Sequence, residues 1–161
     1  MNIDKVEILS QLRLEVESEL EKLKDAYKHT RSSANSDDMK AESKWDTRAT
    51  EAKYLAEGKK KRIDELEEEL QLLDQVSTKN YSEKDEVEMG ALIELECSSQ
   101  RRFYYLSSTG GGRILSFNNT PVMIITVFSP IGSEVLGLNV GDIFELETPK
   151  DIKEYKIVSL C

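Results

Sequence analysis

Proline and glycine are almost missing from the first half of this sequence. Residues 4–76 hold no proline and one glycine, Gly58, so little there removes a helical amide or loosens a helical backbone. Cysteine is equally sparse: Cys97 and Cys161 are the only two, too few for a disulfide framework. With no secretory leader in the charged stretch MNIDKVEILSQLRLEVE, reduced thiols and a cytoplasmic location are expected. The single histidine, His29, stands far from both cysteines and offers no zinc spacing. No apolar run approaches the roughly 18 residues of a membrane span, so no membrane partner is expected. The net charge of −9 argues against any partner held mainly through phosphates. No Ser/His/Asp or Cys/His set is available for nucleophilic catalysis, and the chain is not expected to be an enzyme on its own.

What is present divides into two periods. Leu9, Leu12, Val16, Leu23 and Tyr27 step by threes and fours, with Leu20 beside them. Farther on, Trp45, Ala49, Ala52, Ala56, Lys59, Ile63, Leu66, Leu70 and Leu73 alternate spacings of four and three, a heptad seam interrupted only by Lys59. Between them, HTRSSANSDD is rich in residues that cap helices and close turns, with Ser36 or Asp37 as the expected N-cap of the second helix. Two helices joined by so short a turn run antiparallel. The spacing therefore predicts a coiled-coil finger over residues 1–76, with a second helix on the order of 50 Å long at about 1.5 Å per residue. The seam can be satisfied within one chain, so a monomer is expected.

After a polar connector over 77–90, the pattern shortens. GALIELEC, RRFYYLSS, RILSF, PVMIITVFSP, GDIFELET and KEYKIVSL are runs rich in β-branched and aromatic residues, separated by turn signals. SEVLGL supplies one short helix between two of them. Residues 91–161 are thus expected to form a small, mainly antiparallel β-rich domain, giving an α+β chain.

Few constellations carry chemistry. Gly110–Gly112 lacks the Gly-Lys-Ser/Thr of a phosphate loop and precedes a strand, so it reads as a hairpin turn. Lys59–Arg62 reads as a solvated helix face, or as a contact for RNA or an acidic protein. Phe103, Tyr104 and Tyr105 read as strand residues packing a core. The acidic stretch NSDDMKAESKWDTR is harder to dismiss. Asp38 and Glu42 stand four apart and share one helical face near the first turn of the second helix. Capping explains Asp37 and Asp38. The alternative is a carboxylate pair delivered to a site on another molecule, since carboxylates are hard ligands for Mg²⁺.

SPIGSEVLGLNVGDIFELETPKDIKEYKIVSL, residues 129–160, resembles the end of the bacterial GreA/GreB transcript-cleavage factors, with Ser129, Pro130, Ile131, Leu136, Gly137, Gly141 and Asp142 in register. The order of parts is similar too: coiled coil, linker, then a small domain that is FKBP-like in that family. The resemblance implies docking of the C-terminal domain on RNA polymerase beside the secondary channel, with Ser129, Pro130, Ile131 and Gly132 as the docking turn. It implies tip carboxylates at Asp38 and Glu42, with Asp37 as the alternate, that help hold a Mg²⁺ in the polymerase active site. The nascent RNA 3′ end would be met only indirectly, and Mg²⁺ would be bound only in that shared context. The chain would then be a trans-acting cofactor of the polymerase endonuclease, working by two-metal hydrolysis. Asp38-Met39-Lys40 matches the family tip, but that register places Ala41 where the family has Glu and Glu42 where it has Asn. A channel-binding regulator without cleavage activity therefore stands beside the cleavage factor. From a different class stands a coiled-coil scaffold, against which the tip offers only Ala34, Met39 and Ala41 as apolar surface.

Overall fold

The computed structural model describes residues 3–34 and 48–161. The expected turn, its cap at Ser36 or Asp37, and Trp45 lie outside the described residues. Two long helices are followed by a β-rich domain, in the order α1 (Lys5–Ala34), α2 (Arg48–Leu73), β1 (Leu92–Cys97), β2 (Gln100–Ser107), β3 (Ile114–Phe117), β4 (Thr120–Thr126), α3 (Pro130–Val135), β5 (Ile143–Glu147) and β6 (Ile152–Leu160). The chain forms two compact units: residues 14–71, and a larger unit joining residues 1–13 to 72–161.

In the helical unit the stripes bury Val16 and Leu20 on α1 and Ile63 and Leu66 on α2. Ala52, Ala56 and Leu70 of the seam are half-buried. Each fully buried Leu or Ile removes enough apolar surface to contribute about 2 kcal/mol. Cross-links between the helices set their direction. Lys59 meets Thr30 and Glu67 meets Lys24 at 2.6 Å, so α1 numbers fall as α2 numbers rise, and the pair is antiparallel as expected. Lys59, the break in the seam, turns its ammonium into a role: it donates to Thr30 Oγ1 at 2.6 Å and to the Ala26 carbonyl at 3.3 Å. The rest of its basic block follows the solvated-face reading. Arg62 donates to Glu19 at 2.8 Å and pairs with Glu65 at 3.3 Å, and these carboxylates, led by the Glu19 hydrogen bond, raise its pKa further.

The larger unit is built on one six-stranded sheet in the order β3-β4-β2-β1-β6-β5. Four neighbouring pairs are antiparallel and one, β2 with β4, runs parallel, so the sheet is mainly antiparallel, as expected. Parallel neighbours cannot be joined by a tight turn, and residues 108–119, including β3, make the crossover. All six runs picked out in the sequence are strands. Two of their turns are two-residue hairpins whose central residues all have positive φ: Ser98 and Ser99 at 49° and 62°, Asn118 and Asn119 at 49° and 65°. That is the type I′ geometry that matches the twist of flanking strands.

The core lies on the sheet face bearing Ile93, Leu95, Tyr104, Leu106, Ile125 and Ile157, closed by Val135 of α3 and by Phe144, which stacks on Tyr155 with centroids 5.4 Å apart. Segment 77–90, polar in composition, sends Tyr81 and Val87 into this core. Tyr81 donates to the Met89 carbonyl at 2.8 Å, with the Lys5 ammonium 4.6 Å from its ring centroid. Val87 exchanges backbone hydrogen bonds with the turn after α3, through Leu138 and Gly137. On α1, Ile8 and Leu12 are fully buried within this same unit, whereas the sequence stripe had begun at the half-buried Leu9. Tyr105 points away from the core face and is fully buried; its hydroxyl has no hydrogen-bond partner among the described residues, and burial pushes its pKa well up.

Candidate functional site

The turn after β4 is organised by one serine. Ser129 caps α3: its Oγ accepts from the Gly132 amide at 3.1 Å and donates to the Thr126 carbonyl at 2.7 Å. Pro130 follows at N1, where its missing amide costs nothing and its fixed φ suits a helix. The short helix therefore begins at Pro130, three residues earlier than the SEVLGL reading placed it, because Ser-Pro is a start signal. Leu136 caps its C-terminus, and Gly137 follows at φ +80°. Gly132 is buried, and a Cβ there would fall on the Thr126 carbonyl. Only glycine lets the first turn of α3 close on the end of β4.

This tight turn leaves its neighbours projecting. Phe128 is 91% exposed, Pro130 is exposed and Ile131 is half-buried. With Met123, Leu146 and the Gly110–Gly112 turn they border a groove of about 620 Å³. Gly110 and Gly112 hold positive φ at 77° and 90°, and Gly110 lies against Leu12, confirming a turn rather than a phosphate cradle. No residue lining the groove is ionisable, although charged residues make up 33% of the chain. An uncharged apolar groove with a bare phenylalanine at its rim is a surface suited to a protein partner. Among the four residues the sequence singled out, Ser129 and Gly132 build the turn, while Pro130 and Ile131 face the groove. Phe128 was passed over because it ends a strand-like run; its position directly before Ser-Pro was the available signal.

Asp37, Asp38 and Glu42 lie outside the described residues, so the structure places none of them. Among the described residues no group of three or more His, Cys, Asp or Glu could hold a metal ion, and no helix is long and apolar enough to cross a membrane. Tyr104 is buried in the core and has burial as the main cause of its raised pKa, as expected of a packing residue.

Residues 82–160 match the family model described as "Transcription elongation factor, GreA/GreB, C-term". The chain is 32% identical over 101 residues to "Transcription inhibitor protein Gfh1" of Thermus thermophilus, equally so for the protein of either of two strains. That match spans 62% of this chain and 60% of the relative's length. Similar solved structures include one described as "Structure of the transcription factor Gfh1", 27% identical with a TM-score of 0.41, covering 94% of this chain and 92% of the other. A GreA/GreB factor from Nitrosomonas europaea is 21% identical with a TM-score of 0.33, covering 45% and 57%. The charge-free groove and its serine-capped turn thus sit inside residues 82–160, the segment that matches the GreA/GreB C-terminal family model.

Proposed function

We propose that this chain is a transcription factor that binds RNA polymerase at the secondary channel, docks through the groove beside Ser129–Gly132, and carries its acidic stretch toward the active site. The observation that carries this reading is the family match over 82–160 together with an uncharged groove inside it. Ser129 and Gly132 act by shaping the turn, and Phe128, Pro130 and Ile131 supply the contact surface. Of the two outcomes for transcription, restraint without RNA cleavage is the better supported. The matched relatives are named transcription inhibitors, and the tip register puts Ala41 where a cleavage factor has its glutamate. One turn of helix rotates about 100° per residue, so a carboxylate displaced by one position points elsewhere, and metal sites tolerate little displacement.

Two measurements test this. Full-length protein should bind core polymerase, and Phe128→Asp should weaken binding by about 30-fold, as loss of an aromatic anchor buried by the partner does. Unchanged affinity in Phe128→Asp would remove the docking assignment. On backtracked elongation complexes the wild type should slow extension and release no 3′ RNA fragment. Mg²⁺-dependent fragment release that Asp38→Ala or Glu42→Ala abolishes would replace restraint with cleavage, and Asp38, Glu42 and Asp37 would then share the polymerase's metal.

A further inference from the structure

A second cavity, of about 210 Å³, opens on the core face of the sheet at the β1–β2 hairpin. It is separate from the groove: no residue borders both. Strand register explains its composition. Leu95 pairs with Arg102 and Cys97 with Gln100 across β1–β2, while Lys153 and Tyr155 of β6 pair with Leu146 and Phe144 of β5. Side chains alternate faces along a strand, so Arg102 and Lys153 share the face of Leu95, Cys97, Tyr104 and Tyr155.

The carboxylates of these strands were sorted to the other face. Glu94 and Glu96 lie there and share Arg101, at 3.8 and 2.8 Å, with Lys156 opposite Glu96. Glu145, Glu147 and Glu154 alternate onto that same side. Among the described residues no carboxylate lines the cavity, and neither Arg102 nor Lys153 makes an ion pair. Arg102 donates to the Gln100 side-chain oxygen at a marginal 3.4 Å and to the Tyr104 hydroxyl, both neutral partners. In a chain of net charge −9, two cations converge on a hollow with no anion of their own.

The remaining lining includes hydroxyl donors beside the apolar Leu95. Burial, foremost, raises the pKa of Tyr155, with Tyr104 and Cys97 adding, so the phenol stays a neutral hydrogen-bond donor. Ser98 adds a hydroxyl from a turn held at positive φ. A guanidinium fork, an ammonium and hydroxyl donors are the groups that recognise a tetrahedral oxyanion. The hollow is too small to admit a helix or a strand pair, which selects a small molecule over a macromolecule.

We propose that this cavity binds a small phosphate-bearing anion between Arg102 and Lys153, independently of the polymerase-docking groove. Cys97, half-buried in the wall, reports occupancy, and the exposed Cys161 is the reference thiol in the same chain. The experiment measures iodoacetamide labelling of both cysteines by mass spectrometry, in inorganic phosphate and in potassium chloride of equal ionic strength. With a dissociation constant of about 1 mM, ten times that concentration should slow Cys97 labelling roughly tenfold by mass action and leave Cys161 unchanged. Arg102→Gln with Lys153→Gln, both exposed and therefore tolerated by the fold, should abolish the protection. A nucleoside monophosphate as a second probe separates the sources: equal potency means the phosphate group alone is read, and greater potency means the esterified molecule is the ligand. The proposal fails if Cys97 labels equally in phosphate and chloride, if both thiols slow together, or if protection survives in the double variant. Protection by a short acidic peptide but not by phosphate would overturn it as well.

Discussion

The helical unit and the sheet-bearing unit solve the problem of stability differently. Among described residues, the helical unit buries four apolar side chains along one stripe, Val16, Leu20, Ile63 and Leu66, and joins its helices elsewhere by charged or polar links from Lys59, Arg62 and Lys24. The sheet-bearing unit buries a connected cluster of twelve and uses charge mainly to separate its two faces. A stripe limits contact to one side of each helix, so truncating one residue leaves the rest in place. A cluster packs each side chain from several directions, so one cavity is felt throughout. Stability should therefore concentrate around the sheet, and residues 14–71 should exchange amide hydrogens first.

The largest test of that contrast is Leu106→Ala, which empties a fully buried site in the cluster. It should cost about 3 kcal/mol, read in denaturant titrations, and speed exchange in β2 and β4 by roughly 100-fold. Equal protection of residues 14–71 and the sheet in the wild type would break the contrast. Next is Gly132→Ala, where the new Cβ meets the Thr126 carbonyl. A loss of about 2 kcal/mol is expected, together with weaker polymerase binding, because the groove rim moves with α3; melting and binding measured on one preparation would show both. Ser129→Ala removes a cap and should cost about 1 kcal/mol, and Ser129→Asp, which can still accept from the Gly132 amide but cannot donate to the Thr126 carbonyl, should recover only part of it. Tyr105→Phe runs the other way. Deleting a buried hydroxyl without a partner among the described residues should stabilise by about 1 kcal/mol, seen as a raised midpoint with unchanged denaturant sensitivity. The smallest effect belongs to Arg62→Ala in the helical unit. Its ion pairs are solvent-exposed, so the loss should be about 0.5 kcal/mol and should fade with added salt.

The same contrast explains what could be read in advance. Helical spacing announced the seam from Ala52 to Leu73, and even its polar exception, because a period of 3.6 residues leaves a mark in one dimension. The six strands were equally legible from Val, Ile and aromatic runs. What spacing does not encode is which strands meet. Nothing local in TPVMIIT says that it lies parallel to QRRFYYLS, since that choice is made by the crossover through β3. The serine-capped turn was legible as Ser-Pro-Ile-Gly, but the exposed Phe128 beside it was hidden within an apolar run, where strand and rim residues look alike. The paired cations of the smaller cavity were invisible for a related reason. Arg102 and Lys153 are 51 positions apart and meet only because β1 and β6 are neighbours.

The position of β6 in the sheet bears on how the molecule is made. β6 is the last strand in the sequence, yet it pairs with β1 on one side and β5 on the other. During synthesis on a ribosome, β1 to β4 can assemble first, but β5 cannot join them until residues 152–160 have emerged. Until then β1 presents an open hydrogen-bonding edge beside Ile93 and Leu95, the kind of edge that recruits strands from other chains. Vectorial synthesis thus leaves an interval in which this sheet is most prone to aggregate, and it ends only when β6 docks. A chain stopped at residue 151 would never leave that interval, and should accumulate as insoluble protein or as a substrate for chaperones.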